Sequence, residues 1–199
     1  MASEIKANKI SPASGTAITL GNSGDIFTLP SGATIVNSGT ATGFGKILQV
    51  VSAIKTDTAS STSTTFADVS GLSVTTGALA STSSRVLVMV SMVGSGWADN
   101  SNWCVVDGAG AVIAGFVGDA NGSARRASGA DLFGIKYSNN AKQLSMNSID
   151  SPASTSAQTY KVQVQTESGT IYINRAYTTG TTSDAGRSMS SIIAMEIGA

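Results

Sequence analysis

The segment Gly15-Thr16-Ala17-Ile18-Thr19-Leu20-Gly21-Asn22-Ser23-Gly24 returns in shortened form as Gly32-Ala33-Thr34-Ile35-Val36-Asn37-Ser38-Gly39. Each copy reads as a strand of about five residues closed by an Asn-Ser-Gly turn, and so short a strand is marginal in water unless another surface covers its apolar face. Repeats of this kind bury their faces only when stacked or wound with neighbours. Residues 1–45 are therefore expected to fold against other copies of the same chain, with strands near Ile18–Leu20, Ile26–Leu29 and Thr34–Val36. Pro30-Ser31-Gly32 is a turn and Gly43-Phe44-Gly45 a joint. If three chains wind together, Ile18, Leu20, Phe27, Leu29, Ile35 and Val36 face the common axis or the neighbouring chain.

From Lys46 onward the pattern changes to longer strands. No window carries a helical period; apolar residues alternate or run briefly between Gly, Asn, Asp and Ser. Ile47–Ile54, Leu72–Thr75, Ser84–Val93, Asn102–Val106, Ala111–Val117, Leu132–Tyr137, Gln143–Met146, Thr159–Thr166, Thr170–Arg175 and Ser190–Ile197 read as strands. Ser84–Val93 is apolar on both faces, which suits the middle of a sandwich or a subunit interface. Val88 and Ile193 are expected in the core. Asp107-Gly108 signals a hairpin between its flanking strands. The alternation of Lys161–Gln165 and Ile171–Asn174 across Glu167-Ser168-Gly169 predicts a half-exposed antiparallel hairpin. About eight to ten strands with turns between them is the count of a jelly roll or related sandwich. The expected fold is all-β: a short intertwined N-terminal stem over residues 1–45, then a jelly-roll-like antiparallel β-sandwich head over residues 46–199.

Composition removes several function classes. The chain has no His and one Cys, which excludes Ser-His-Asp and Cys-His catalysis, His-containing metal sites and thiolate clusters. No glycine pattern of a phosphate-binding loop follows a strand and opens a helix. Basic and acidic residues number 12 each; Arg125-Arg126 is the one basic pair, so nucleic acid is not an expected partner. A net charge of zero favours association. Ser and Thr make up roughly a quarter of the chain, but recurring Val, Ile, Leu and aromatic runs separate it from disordered sequences. No apolar run reaches the ~20 residues of a membrane helix, and the first 20 residues carry no signal-peptide core. Membrane insertion is not expected, and synthesis in a cytoplasm without ordinary export is. Cys104, inside Trp103-Cys104-Val105-Val106, is expected to be buried and inert.

Carboxylates are the remaining catalytic currency. Asp99, Asp107, Asp119 and Asp131 each stand beside small or turn-forming residues, and turn formation accounts for each; a glycosidase needs two facing carboxyls about 5–9.5 Å apart. Asp99, Asn100 and Asn102 form an oxygen-rich cluster with few acids for calcium. No enzyme activity, cofactor or metal is expected. Gly94–Trp103 holds both tryptophans, with Asp99, Asn100 and Asn102, in a segment that reads as a loop. Two roles fit: core packing, favoured for Trp103 at a strand start, and contact of Trp97, Asp99, Asn100 and Asn102 with a sugar or peptide. A second candidate surface is Gly118–Ala130, where Arg125 and Arg126 suit an anionic glycan or an Asp of a neighbouring chain. A third is the Thr-rich loop Tyr177–Arg187.

Ile5–Ile10, Gly15–Leu20, Asp25–Gly32, Ser63–Leu72, Ser83–Val90, Thr159–Glu167 and Tyr172-Ile173-Asn174-Arg175 together resemble fibre-like virion proteins of tailed bacteriophages, especially those of marine and cyanobacterial hosts. The resemblance spans nearly the whole chain. It implies a homotrimer with an intertwined stem and a globular β-sandwich head, located in the virion, and supplies no enzymatic residue to carry over. Two roles are expected from it. In one, the N-terminus attaches to other virion proteins and the head projects as a short fibre or appendage that contacts host-surface glycan. In the other, the protein decorates or cements the capsid and binds no host ligand. A stem of about 45 residues spans at most ~150 Å when fully extended, so a short appendage fits better than a long fibre.

Overall fold

A computed structural model describes residues 10–26, 28–36, 47–130, 141–178 and 186–198. Phe27, the Asn37-Ser38-Gly39 turn, the Gly43–Gly45 joint, Asp131, the expected strand Leu132–Tyr137 and the middle of the loop 177–187 lie outside these residues. The chain divides into two compact units, Met1–Phe44 and Gly45–Ala199.

In the first unit the turns form where Gly and Pro demand them. Asp25 N–H donates to Asn22 O at 3.1 Å, and Ala33 N–H to Pro30 O at 3.0 Å; Gly24 and Gly32 take φ of 94° and 85°. The expected strands do not form: residues 18–20, 26, 28–29 and 34–36 make no ladder, and every described residue of this unit is exposed. Ile26 is 90% and Val36 83% open. A strand needs a partner edge, and none of the described residues within the single chain supplies one.

The second unit is all-β, two antiparallel sheets around one core. Its strands are β1 (Ile47–Lys55), β2 (Ala59–Ser61), β3 (Ala67–Thr75), β4 (Arg85–Asp99), β5 (Asn102–Asp107), β6 (Gly129–Ala130), β7 (Lys142–Asp150), β8 (Thr159–Gln165), β9 (Ser168–Ile173) and β10 (Ser190–Ile197). One sheet runs β1-β10-β4-β9-β2 with β7 also on β4, and the other β3-β8-β5-β6. Alternation chooses the inner face: Val86, Val88, Val90 and Met92 of β4 meet Val162 and Val164 of β8 and Leu72 and Val74 of β3 in the core. In β3 the buried Val69 and Leu72 are three apart, against the two-residue period of a strand. A register shift between Asp68 and Ser73 absorbs the extra residue, with Gly71 at φ 83°.

Four sequence expectations for this unit change. The β8–β9 hairpin does not exist: β8 pairs with β3 and β5, whereas β9 pairs with β4 and β2. The Gly94–Trp103 loop is mostly strand, because β4 runs on to Asp99 against β9. Ala111–Val117 forms one bridge, Val106 to Val112, then a 3-10 turn at Ala114–Phe116 in place of a strand. Val88 is buried as expected, but Ile193 lies on the outer face and is half-buried.

That outer face of the six-stranded sheet carries one wholly apolar row, flanked by mixed ones. Val50, Met195, Leu87 and Ile149 stand opposite one another across β1, β10, β4 and β7. Ser52, Ile193, Met89 and Asn147 form the next row, and Ile54, Ser191, Ser91 and Ser145 the third.

Candidate functional site

Of the expected contact residues, Trp97, Asp99, Asn100 and Asn102 lie at or beside one of two neighbouring corners where the chain passes from one sheet to the other. Asp99 pairs with Ser168 in the six-stranded sheet, and Asn102 with Gln165 in the four-stranded sheet. Asn100-Ser101 and Thr166-Glu167 are the bends between these pairs. Asn100 takes φ of 48°, a left-handed geometry that Asn tolerates better than most residues. Its side-chain amide donates to the Glu167 carboxylate, and the Asn102 amide donates to Asn100 O at 3.0 Å. Thr166 Oγ1 donates to Ser168 O at 2.5 Å. Thr166 N–H donates to Ser63 O at 2.9 Å.

The polar atoms of this corner are therefore spent on the bend. Asn102 is buried and Trp103 is 2% exposed, inside the core, which is the packing role favoured for Trp103. Asn100 remains exposed. Trp97 and Asp99 belong to the β4 backbone, in register with Thr170 and Ser168. On the other candidate surface Arg125 is exposed, and Arg126 Nε donates to Gly118 O at 2.8 Å. Nearby, Ser128 holds the turn: it accepts from Val105 N–H at 3.0 Å and donates to Phe116 O at 2.6 Å. Asp107 acts in its turn, as expected, accepting from Ala109 and Ala111 N–H groups at 2.9 and 2.8 Å.

Charges elsewhere serve structure. Asp68 sits below the ordinary carboxylate value because Gln163 and then Lys161 donate to it, at 2.6 and 2.9 Å. A cavity of about 120 Å³ opens beside it, lined by Ala59, Ser60, Ser61, Val69, Ser70, Val164 and Ile173. It has room for a few waters rather than a sugar ring. Burial raises the Cys104 thiol, consistent with an inert side chain. Among the described residues no group of three or more His, Cys, Asp or Glu is placed to hold a metal ion. Among the described residues no helix is long and apolar enough to cross a membrane.

Sequence reading missed one aromatic cluster. The Arg175 guanidinium lies 3.9 Å from the centre of the Tyr172 ring, which meets Tyr177 edge-on at 5.7 Å. The signal was present as Tyr172, Arg175 and Tyr177 after an alternating strand, but nothing in the spacing says that the chain turns back over the ring. No known family model matches the chain, and no curated protein sequence does.

Proposed function

We propose that the protein is a non-enzymatic structural component of a phage virion, a short trimeric appendage. Its N-terminal unit attaches to other virion proteins and winds with its copies. Its β unit projects outward, with Arg125 on an exposed loop available to host-surface glycan and Asn100 exposed at its corner, its amide held by Glu167. The observation that carries this reading is the contrast between the two units: the second closes a complete core around Val88 and Val162, whereas the first leaves Ile18, Leu20, Leu29, Ile35 and Val36 open to solvent. Apolar side chains without a core of their own are what an assembling segment carries.

The commitment of Asn102, Glu167 and Trp103 to the corner itself favours a second reading, in which the protein cements a capsid and binds no sugar. The experiment is light scattering on the full chain and on a chain starting at Lys46, followed by electron microscopy of phage particles with an antibody to the second unit. A trimer that weakens on truncation, with label on projecting structures, is expected; label spread over the capsid lattice selects the cement role. A full chain that stays monomeric at micromolar concentration rejects the wound stem.

A further inference from the structure

We propose that the outer face of the six-stranded sheet is a second self-association surface, by which the β units of neighbouring copies meet. This rests on the self-assembly part of the preceding reading and not on its virion part. The row Val50, Met195, Leu87 and Ile149 crosses four strands without a polar side chain, a band about 14 Å wide at the usual strand spacing. Ile193 and Met89 extend it into the next row. Val50 is 55%, Ile149 46% and Ile54 62% exposed within the single chain.

Charge identifies the occupant. The three rows contain no Lys, Arg, Asp or Glu; Arg85, opposite Ile197, stands at the end of the face. Equivalent faces of two copies thus meet without bringing like charges together, a self-complementarity that most protein surfaces lack. The chain's zero net charge adds no long-range repulsion between copies. The face also includes β1, whose other edge is unpaired in the described sheet, and such edges are normally covered or charged. Ile47, Leu48, Val50 and Ile54 leave this one apolar.

The area sets how strong the contact is. A large aliphatic side chain carries on the order of 100 Å² of apolar surface, so the face and the β1 edge offer roughly 400 Å² per copy, about half of what a stable pair uses on each partner. The β units therefore associate measurably but more weakly than the full chain. In the chain only residues 45–46 separate the first unit from β1, so any winding of that unit raises the local concentration of these faces.

Sedimentation equilibrium of the full chain tests this with the pair Val50→Glu and Ile149→Glu, both at exposed positions, against Leu20→Ser with Ile35→Ser in the first unit. The face variant is expected to self-associate at least tenfold more weakly while its circular dichroism and melting temperature hold. Val50→Ser with Ile149→Ser gives the same reading should the glutamates disturb folding. A face variant that assembles like the parent overturns the proposal; if the first-unit variant weakens assembly in that same experiment, the wound stem stands alone. A parent chain that is monomeric throughout overturns both.

Discussion

Asn174 shows how one polar residue can hold several elements. It is fully buried at φ 60°, donates from Nδ2 to Lys55 O at 2.7 Å and Asp57 O at 2.9 Å, and accepts from Ser190 Oγ at 2.5 Å. Ser190 Oγ in turn accepts from Val93 N–H at 3.0 Å. Asn174→Asp keeps the shape but turns a donor into an acceptor facing two carbonyls. The expected cost is about 3 kcal/mol, a fall of roughly 6–12 °C in melting temperature; an unchanged melting curve rejects this role. Glu196 is the buried acid of the same unit, 1% exposed. Burial works against its charge, but Gln49 Nε2 and Ala80 N–H, both at 2.7 Å, outweigh it and hold the carboxyl below its ordinary value of 4.5. A lowered folded-state value stabilises the protein above the ordinary value, and that contribution is lost as pH falls from about 4.5 through the lowered one. Glu196→Gln is expected to cost about 1–3 kcal/mol at pH 7 and to flatten this acid limb in urea titrations. A parallel shift of the whole pH profile would show that Glu196 does not titrate between the folded and unfolded states as argued.

Among the elements, β3 depends on one backbone conformation. Gly71 at φ 83° lets Val69, Leu72 and Val74 all reach the core despite their uneven spacing. Gly71→Val is expected to cost about 2 kcal/mol, lowering the urea midpoint without changing its slope, whereas Gly71→Asn recovers part of the loss; equal effects of the two would argue against a backbone cause. Short apolar runs between turn residues made β1, β4 and β10 legible, and alternation made β8 legible. It did not reveal partners: β8 and β9 have the pattern of a hairpin, yet Thr166 and Glu167 carry the chain across to the other sheet. Period two reports which side chains point inward and is silent on which edge supplies the hydrogen bonds. The glycines at 94 and 96 suggested a loop, but β9 supplies a ladder there and Ser95 Oγ donates to Arg175 O at 2.8 Å, so small buried residues make room for a covering segment.

For the molecule as a whole, Cys104 reports opening of the core. It is fully buried in β5, between β8 and β6. Its reaction with an aromatic disulfide reagent is expected to be negligible in buffer and to accelerate with urea in step with global unfolding; rapid labelling of the native protein would show that the four-stranded sheet opens by itself. The candidate contact residues were only partly legible. Asn100 and Arg125 are exposed, as a contact role requires, but Asn102 and Trp103 are drawn inward because the corner places them against the core.

Composition and spacing alone determined the all-β class of the second unit and which site types are ruled out: without His, Ser-His-Asp, Cys-His and His-containing metal sites cannot be built, and its short apolar runs between turn residues pair as sheets. Tertiary structure alone decided the pairing of strands, the sheet crossings at Asn100 and Glu167, and the apolar row from Val50 to Ile149. Those features join residues far apart in sequence, and the free energy that selects them arises only when distant strands share a core and an edge.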